Sequence, residues 1–152
     1  MSLTDSIAQA IATYEGYYQP GSLAARNNNP GNLRSWGTAP LVDGYARFDT
    51  PAAGWSALLR QIELNISRGL SLGEFFGGKA GVYSGYAPAS DNNQPAAYAQ
   101  FVARRVGVPV DTPLSAGFFL PGIPAPGGIQ AAGDDVLLVA GLVGAVSLLM
   151  LL

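Results

Sequence analysis

The chain contains no histidine and no cysteine, which excludes thiol nucleophiles, serine–histidine triads and zinc sites built on either ligand. Any catalysis falls to carboxylates, hydroxyls, amides or lysine. Among the carboxylates Glu15 stands apart. It lies where the helical spacing of Ile7, Ile11 and Tyr14 runs out, among Tyr14, Tyr17 and Tyr18 and just before a turn rich in Gly and Asn. Aromatic neighbours strip water from a carboxyl group, raise its pKa and keep it protonated near neutral pH, the state needed to protonate a glycosidic oxygen. On the residues alone, a solvated glutamate at a helix end fits equally well. The other carboxylates have plainer roles: Asp5 as a helix cap, Asp43 before Gly44 and Asp49 before Thr50 in turns or caps, Glu63 on a wet helix face, and Glu74 as a cap or surface charge.

Residues 26–34, reading RNNNPGNLR, place four Asn, one Pro and one Gly in nine positions. That density of amides is poor for helix or strand and typical of a rigid turn. Its side chains either satisfy the loop's own backbone or form a polar wall that binds sugar hydroxyl and acetamido groups. A second amide-bearing turn, residues 86–93 reading YAPASDNN, comes before the last expected helix. Trp36, Tyr45, Tyr83, Tyr86 and Tyr98 are the rings that could stack on sugars, with core packing as the alternative role.

The elements that must hold these residues are mostly helical. Ser2, Thr4 or Asp5 can cap a first helix over residues 5–15, ended by Gly16. Residues 29–48 lack helical periodicity and suit turns or a small hairpin. Pro51 belongs in the first turn of a helix carrying Trp55, Leu58, Leu59, Ile62 and Ile66 and stopping near Gly69. Residues 70–76 read as a short helix entered through Ser71. A last helix, capped by Asn92 or Asn93 with Pro95 in its first turn, runs through Tyr98, Phe101, Val102 and Arg105 to Gly107. Four helices around a small sheet make an α+β domain.

Three segments are expected: a globular domain over residues 1–114, a Pro/Gly-rich linker over 115–133 and a C-terminal transmembrane anchor over 134–152. From Val136 to the last residue every position is apolar, Gly or Ser. These 17 residues would make a helix of roughly 26 Å, at the short end of what spans a bilayer core. Asp134 and Asp135 would cap it, and Gly141 and Gly144 would permit close helix packing. Burial against partner proteins is the alternative for this run. Residues 1–14 hold no long apolar stretch and do not read as a secretory signal.

With 152 residues, 49% of them hydrophobic, the chain is long enough for one core plus an appendage. Its net charge is −2, and apart from Arg104 and Arg105 the basic residues are scattered, so nucleic acid is not an expected partner.

Three blocks in order, EGYYQPGSLAARNNNPGNLR, GYARFDTPAAGWSALLRQI and YAPASDNNQPAAYAQFVARRVGV, resemble the lysozyme-like lytic transglycosylases carried by bacteriophage particles. The match covers residues 5–112. It implies a lysozyme-like fold, with Glu15 as the single catalytic acid. Residues 29–32 would form the turn facing it, Phe48, Gly54 and Trp55 would pack where the sheet meets the second helix, and Asn93 and Tyr98 would line the cleft floor, Tyr98 in the place of the tyrosine that sits near the acid in related transglycosylases. Asn29, Asn32, Tyr86, Asn93 and Tyr98 are the expected substrate-binding residues, and no cofactor or metal is expected. The cellular soluble enzymes follow their Glu with Ser, whereas Gly16 follows Glu15 here.

The resemblance further implies that one glutamate acts twice. It first protonates the leaving oxygen, then takes a proton from the sugar's 6-hydroxyl as an anhydro ring closes, with the substrate's acetamido group in place of a protein nucleophile. Asp43, Asp49 or Asp91 approaching the cleft would favour hydrolysis instead. The partners expected are bacterial peptidoglycan, membrane lipid through residues 136–152 and other virion proteins, in a membrane-anchored virion protein acting during genome entry. The alternatives are a virion structural protein that keeps the fold without activity, and a pore-forming protein, which rests on the tail only.

Overall fold

Ser2 opens the first helix, α1 (Leu3–Tyr14), through a capping box. Its hydroxyl accepts the Asp5 N–H at 3.1 Å, and the Asp5 carboxylate accepts the Ser2 N–H at 3.1 Å. Ser2 and Asp5, two of the three residues expected as caps, thus act together, and the helix begins two residues earlier than the apolar spacing indicates. The computed structural model describes residues 1–115.

The end of α1 is as closely determined as its start. Gly16 adopts φ +71°, Tyr17 N–H reaches Ala12 O at 2.9 Å, and Gly16 N–H reaches Thr13 O at 3.2 Å. These two bonds around a left-handed residue form a Schellman motif, which Gly enters without strain. Glu15 is the C-cap residue. The Gly that follows it therefore has a local reason: it turns the chain away and leaves the Glu15 side chain on the helix end.

A single turn, α2 (Leu23–Arg26), leads into the Asn-rich loop, and a hairpin of two short antiparallel strands follows, β1 (Leu41–Val42) and β2 (Tyr45–Ala46). Asp43 and Gly44 both have positive φ, +53° and +82°, as a two-residue hairpin turn matched to strand twist requires. Asp43 is thus a turn residue. Helix α3 (Pro51–Ser67) begins at Thr50, whose hydroxyl accepts Ala53 N–H at 3.2 Å, with Pro51 in its first turn. Helix α4 (Leu72–Gly77) carries a second capping box, Ser71 with Glu74, so Glu74 serves as a cap; it also pairs with Lys79 at 3.0 Å.

Helix α5 (Pro95–Val106) ends at Gly107 as expected, but its start differs. Neither Asn92 nor Asn93 caps it. Gln94 is the N-cap residue and makes no capping bond through its side chain. Pro95 still marks the start, since it leaves no N–H unsatisfied at its own position and its fixed φ already suits a helix. Asn92 instead takes φ +62° to close the 3-10 turn Ala89–Asp91.

Helix α5 packs against both α1 and α4, and α1 also packs against α3. Ile7, Ile11, Leu58, Ile62, Leu72, Phe75, Phe76 and Val102 fill the core between them. A smaller cluster, Leu33, Ala46, Phe48 and Ala57, joins the hairpin to α3. Phe48 therefore packs where the sheet meets that helix, as the family resemblance implies, whereas Trp55 meets Tyr17 edge-on at 5.7 Å between ring centroids. Leu114 is buried and its N–H reaches Leu70 O at 2.9 Å. Among the described residues no helix is long and apolar enough to cross a membrane. The expected linker from residue 116 onward and the expected anchor over residues 134–152 lie outside them.

Candidate active site

At the end of α1, the half-buried Glu15 carboxyl group is gripped from two directions. Tyr98 on α5 donates its hydroxyl proton to Oε1 at 2.7 Å, and Asn32 donates from Nδ2 to Oε2 at 2.8 Å. Loss of water raises the Glu15 pKa above the ordinary carboxylate range, and the two donated bonds pull in the opposite direction. Burial wins, so the group holds its proton to a higher pH than a surface glutamate does.

Tyr98 is itself buried, with its ring stacked between Phe76 at 4.2 Å and Tyr14 at 3.8 Å. Burial drives its hydroxyl pKa well above the usual phenol value. It stays a donor. Its ring is core and does not line the cleft floor as expected, but its hydroxyl sits on the acid, as the resemblance implies for this tyrosine. Replacing Tyr98 with Phe keeps the stack but removes the bond that favours the ionised carboxylate. The titration midpoint of the Glu15 carboxyl carbon, followed by NMR, is therefore expected to move up; an unmoved midpoint would show that the bond does not exist in solution.

The Asn-rich loop divides between the two roles open to it. Asn27 Nδ2 donates to Val42 O at 3.3 Å and Asn28 Nδ2 to Phe48 O at 2.9 Å. Asn29 is completely buried; its Nδ2 serves Leu33 O at 2.9 Å and Ala46 O at 2.8 Å, and its Oδ1 accepts Leu33 N–H at 2.9 Å. Three amides thus satisfy backbone, and Asn29 is not positioned to touch a substrate. Its bonds to the backbone of Leu33 and Ala46 occupy both amide protons and the oxygen. Asn32 alone turns to the acid, from a left-handed backbone with φ +44° that Asn tolerates better than most residues. Its Oδ1 is buried without a partner.

Tyr86 ties the loop to the opposite wall by donating its hydroxyl to Gly31 O. A Cβ on Gly31 would also meet Leu58 Cδ1 at 2.8 Å, so Gly is required for this approach. Tyr86 was expected to bind substrate; its hydroxyl is instead committed to the backbone, although its ring lines the groove. Asn93 lines the same groove from an exposed position, with Nδ2 3.4 Å from Pro88 O.

The groove is open, about 350 Å³ in volume, and its walls carry Glu15, Asn32, Arg34, Tyr45, Gln61, Tyr83, Asp91 and Asn93. Of the rings singled out in the sequence, Tyr45, Tyr83 and Tyr86 line it and Trp36 packs behind the hairpin. Sequence reasoning missed Gln61, whose Nε2 donates to Tyr83 hydroxyl at 3.0 Å, and Arg34, which pairs with Asp91 at 3.6 Å. Arg34 ends the RNNNPGNLR block, whose dominant signal is its four amides. Nothing local marked Gln61, a helix residue between Arg60 and Ile62. Among the described residues no three His, Cys, Asp or Glu side chains cluster as metal ligands would.

Such an arrangement can donate a proton into an open, polar groove and take it back, with a phenol and an amide holding the carboxyl group through both states. No family model, curated protein or solved structure matches the chain.

Proposed function

We propose that the protein is a lytic transglycosylase of lysozyme-like fold, cleaving the glycan strands of bacterial peptidoglycan with Glu15 as its single acid and base. The observation that carries this reading is the water-poor Glu15 carboxyl group, held by Tyr98 and Asn32, opening on a groove of amides, hydroxyls and tyrosine rings. The three sequence blocks that resemble phage-borne transglycosylases supply the site's two walls and its acid.

In the first step Glu15 gives its proton to the glycosidic oxygen as the bond to C1 breaks, and the acetamido oxygen of the same sugar bonds to C1. In the second, the Glu15 carboxylate takes the proton of the 6-hydroxyl, O6 bonds to C1, and the acetamido oxygen leaves. Protons balance, and an anhydro end results. A two-carboxylate hydrolysis is the second reading, because Asp91 shares the groove with Glu15. The apolar run over residues 136–152 supports a tether that holds the domain in a virion or host membrane while the groove reaches the wall, where local cleavage would open a path for the genome.

Incubating the full chain in detergent with purified peptidoglycan is expected to release fragments with anhydro ends, each lighter by one water than a reducing-end fragment on mass analysis. Reducing ends would replace the transglycosylase mechanism with hydrolysis, and no fragments at all would remove the enzymatic reading.

A further inference from the structure

Among the described residues that line the groove, Arg34 is the one cation, beside the carboxyl groups of Glu15 and Asp91. Arg34 follows the Asn-rich loop and Asp91 ends the 3-10 turn before α5, and their ion pair at 3.6 Å joins the two walls that Tyr86 and Gly31 also connect. The Arg34 guanidinium also sits 5.8 Å from the Tyr45 ring centre, which orients it within the groove. Both partners face solvent, with side-chain exposures of 60% and 35%. An ion pair so exposed contributes little and is easily parted.

We propose that Arg34 recognises a carboxylate borne by the glycan, and that Asp91 keeps the guanidinium in the groove until substrate displaces it. This rests on the transglycosylase reading and names the feature of the substrate that the groove selects. A neutral sugar polymer has nothing to exchange for Asp91, so parting the pair would leave both charges less well satisfied. A carboxylate replaces Asp91 like for like, and the planar guanidinium fork can bind it through two parallel hydrogen bonds. Peptidoglycan offers that chemistry from two sources. One is the lactyl group, whose carboxylate is free on strands stripped of peptide; the other is the stem peptide itself.

The test uses the full chain in detergent with Arg34→Met, Arg34→Lys and Asp91→Asn variants, and three ligands: peptide-bearing glycan fragments, amidase-stripped strands and neutral chitooligosaccharides. Dissociation constants are measured by NMR titration beside KM and kcat, so every arm is read even where no bond is cut. Arg34→Met is expected to weaken binding and raise KM about tenfold for carboxylate-bearing ligands, with kcat little changed and chitooligosaccharide binding unmoved. Arg34→Lys, which keeps the charge but loses the fork, should fall between, and Asp91→Asn should tighten binding. A loss confined to stripped strands assigns the lactyl carboxylate, and one confined to peptide-bearing fragments assigns the stem. Equal effects of Arg34→Met on all three ligands, or none on any, would overturn the proposal. Inactivity of the unaltered chain would instead remove the transglycosylase reading, leaving Arg34 to be judged on binding.

Discussion

Glu15→Gln is expected to lower glycan cleavage by about 10²- to 10⁴-fold, the range over which a positioned proton donor acts. Glutamine keeps the shape, its one carbonyl oxygen can accept from Asn32 and its amide can donate to the Tyr98 hydroxyl, so binding to the groove should persist. The same variant is expected to gain stability at neutral pH. Burial raises the Glu15 pKa in the folded chain above its unfolded value, so the native state holds this proton more tightly. The stability linked to it is complete below the ordinary carboxylate range and is lost as pH rises through the raised folded value. Glutamine carries no charge to bury. The difference between variant and parent urea midpoints should therefore widen as pH rises across that window and then level off. A fully active variant would show that Glu15 is not the acid; a difference that ignores pH would show that its carboxyl group is well hydrated.

The second large effect is expected at Gly54, in the first turns of α3. A Cβ there would stand 1.8 Å from Asn28 O, 2.9 Å from Asn28 C and 3.0 Å from Pro30 Cδ. The obstacle is backbone, and that backbone cannot drift away, because the Asn28 and Asn29 amides bind it to Phe48, Ala46 and Leu33. Gly54→Ala is expected to cost about 3 kcal/mol of stability, the severe end of overpacking. Because the displaced loop also carries Asn32 to Glu15, cleavage should fall by about 10²-fold in whatever protein remains folded. Gly77→Ala supplies the comparison: its nearest foreign atom would be Pro95 Cβ at 3.7 Å, so its urea melt should stay close to the parent's. Matching melts for the two variants would mean that the loop does not lie against α3 as described.

Much of the architecture was legible because its causes lie within a few residues of one another. Ser2 and Asp5, Thr50 with Pro51, and Ser71 with Glu74 mark helix starts through bonds spanning three residues. Gly16, Gly69 and Gly107 mark ends through left-handed turns. The Asp43–Gly44 pair marks a hairpin. The start of α5 is less legible, because Asn92 and Asn93 resemble caps but stand ahead of the N-cap position, which Gln94 fills without a side-chain bond.

Glu15 was distinguishable by its aromatic neighbours and by the helix ending at it, both properties of adjacent residues. Which amide serves it was not. Asn27, Asn28, Asn29 and Asn32 are the same residue type in the same block, and only the packed hairpin commits three of them to backbone and leaves Asn32 for the acid. The bonds that complete the site join residues 17, 55 and 83 positions apart. Local preferences act over a turn or a cap and are written in the order of residues; a proton donor's surroundings depend on which distant side chains the core brings together. The chain's composition and spacing therefore determined most of the helices and their ends and set Glu15 apart among the carboxylates. The folded packing of α1 against α5, and of the loop against α3, decided that Tyr98 and Asn32 hold it and that Arg34 faces Asp91 across the groove.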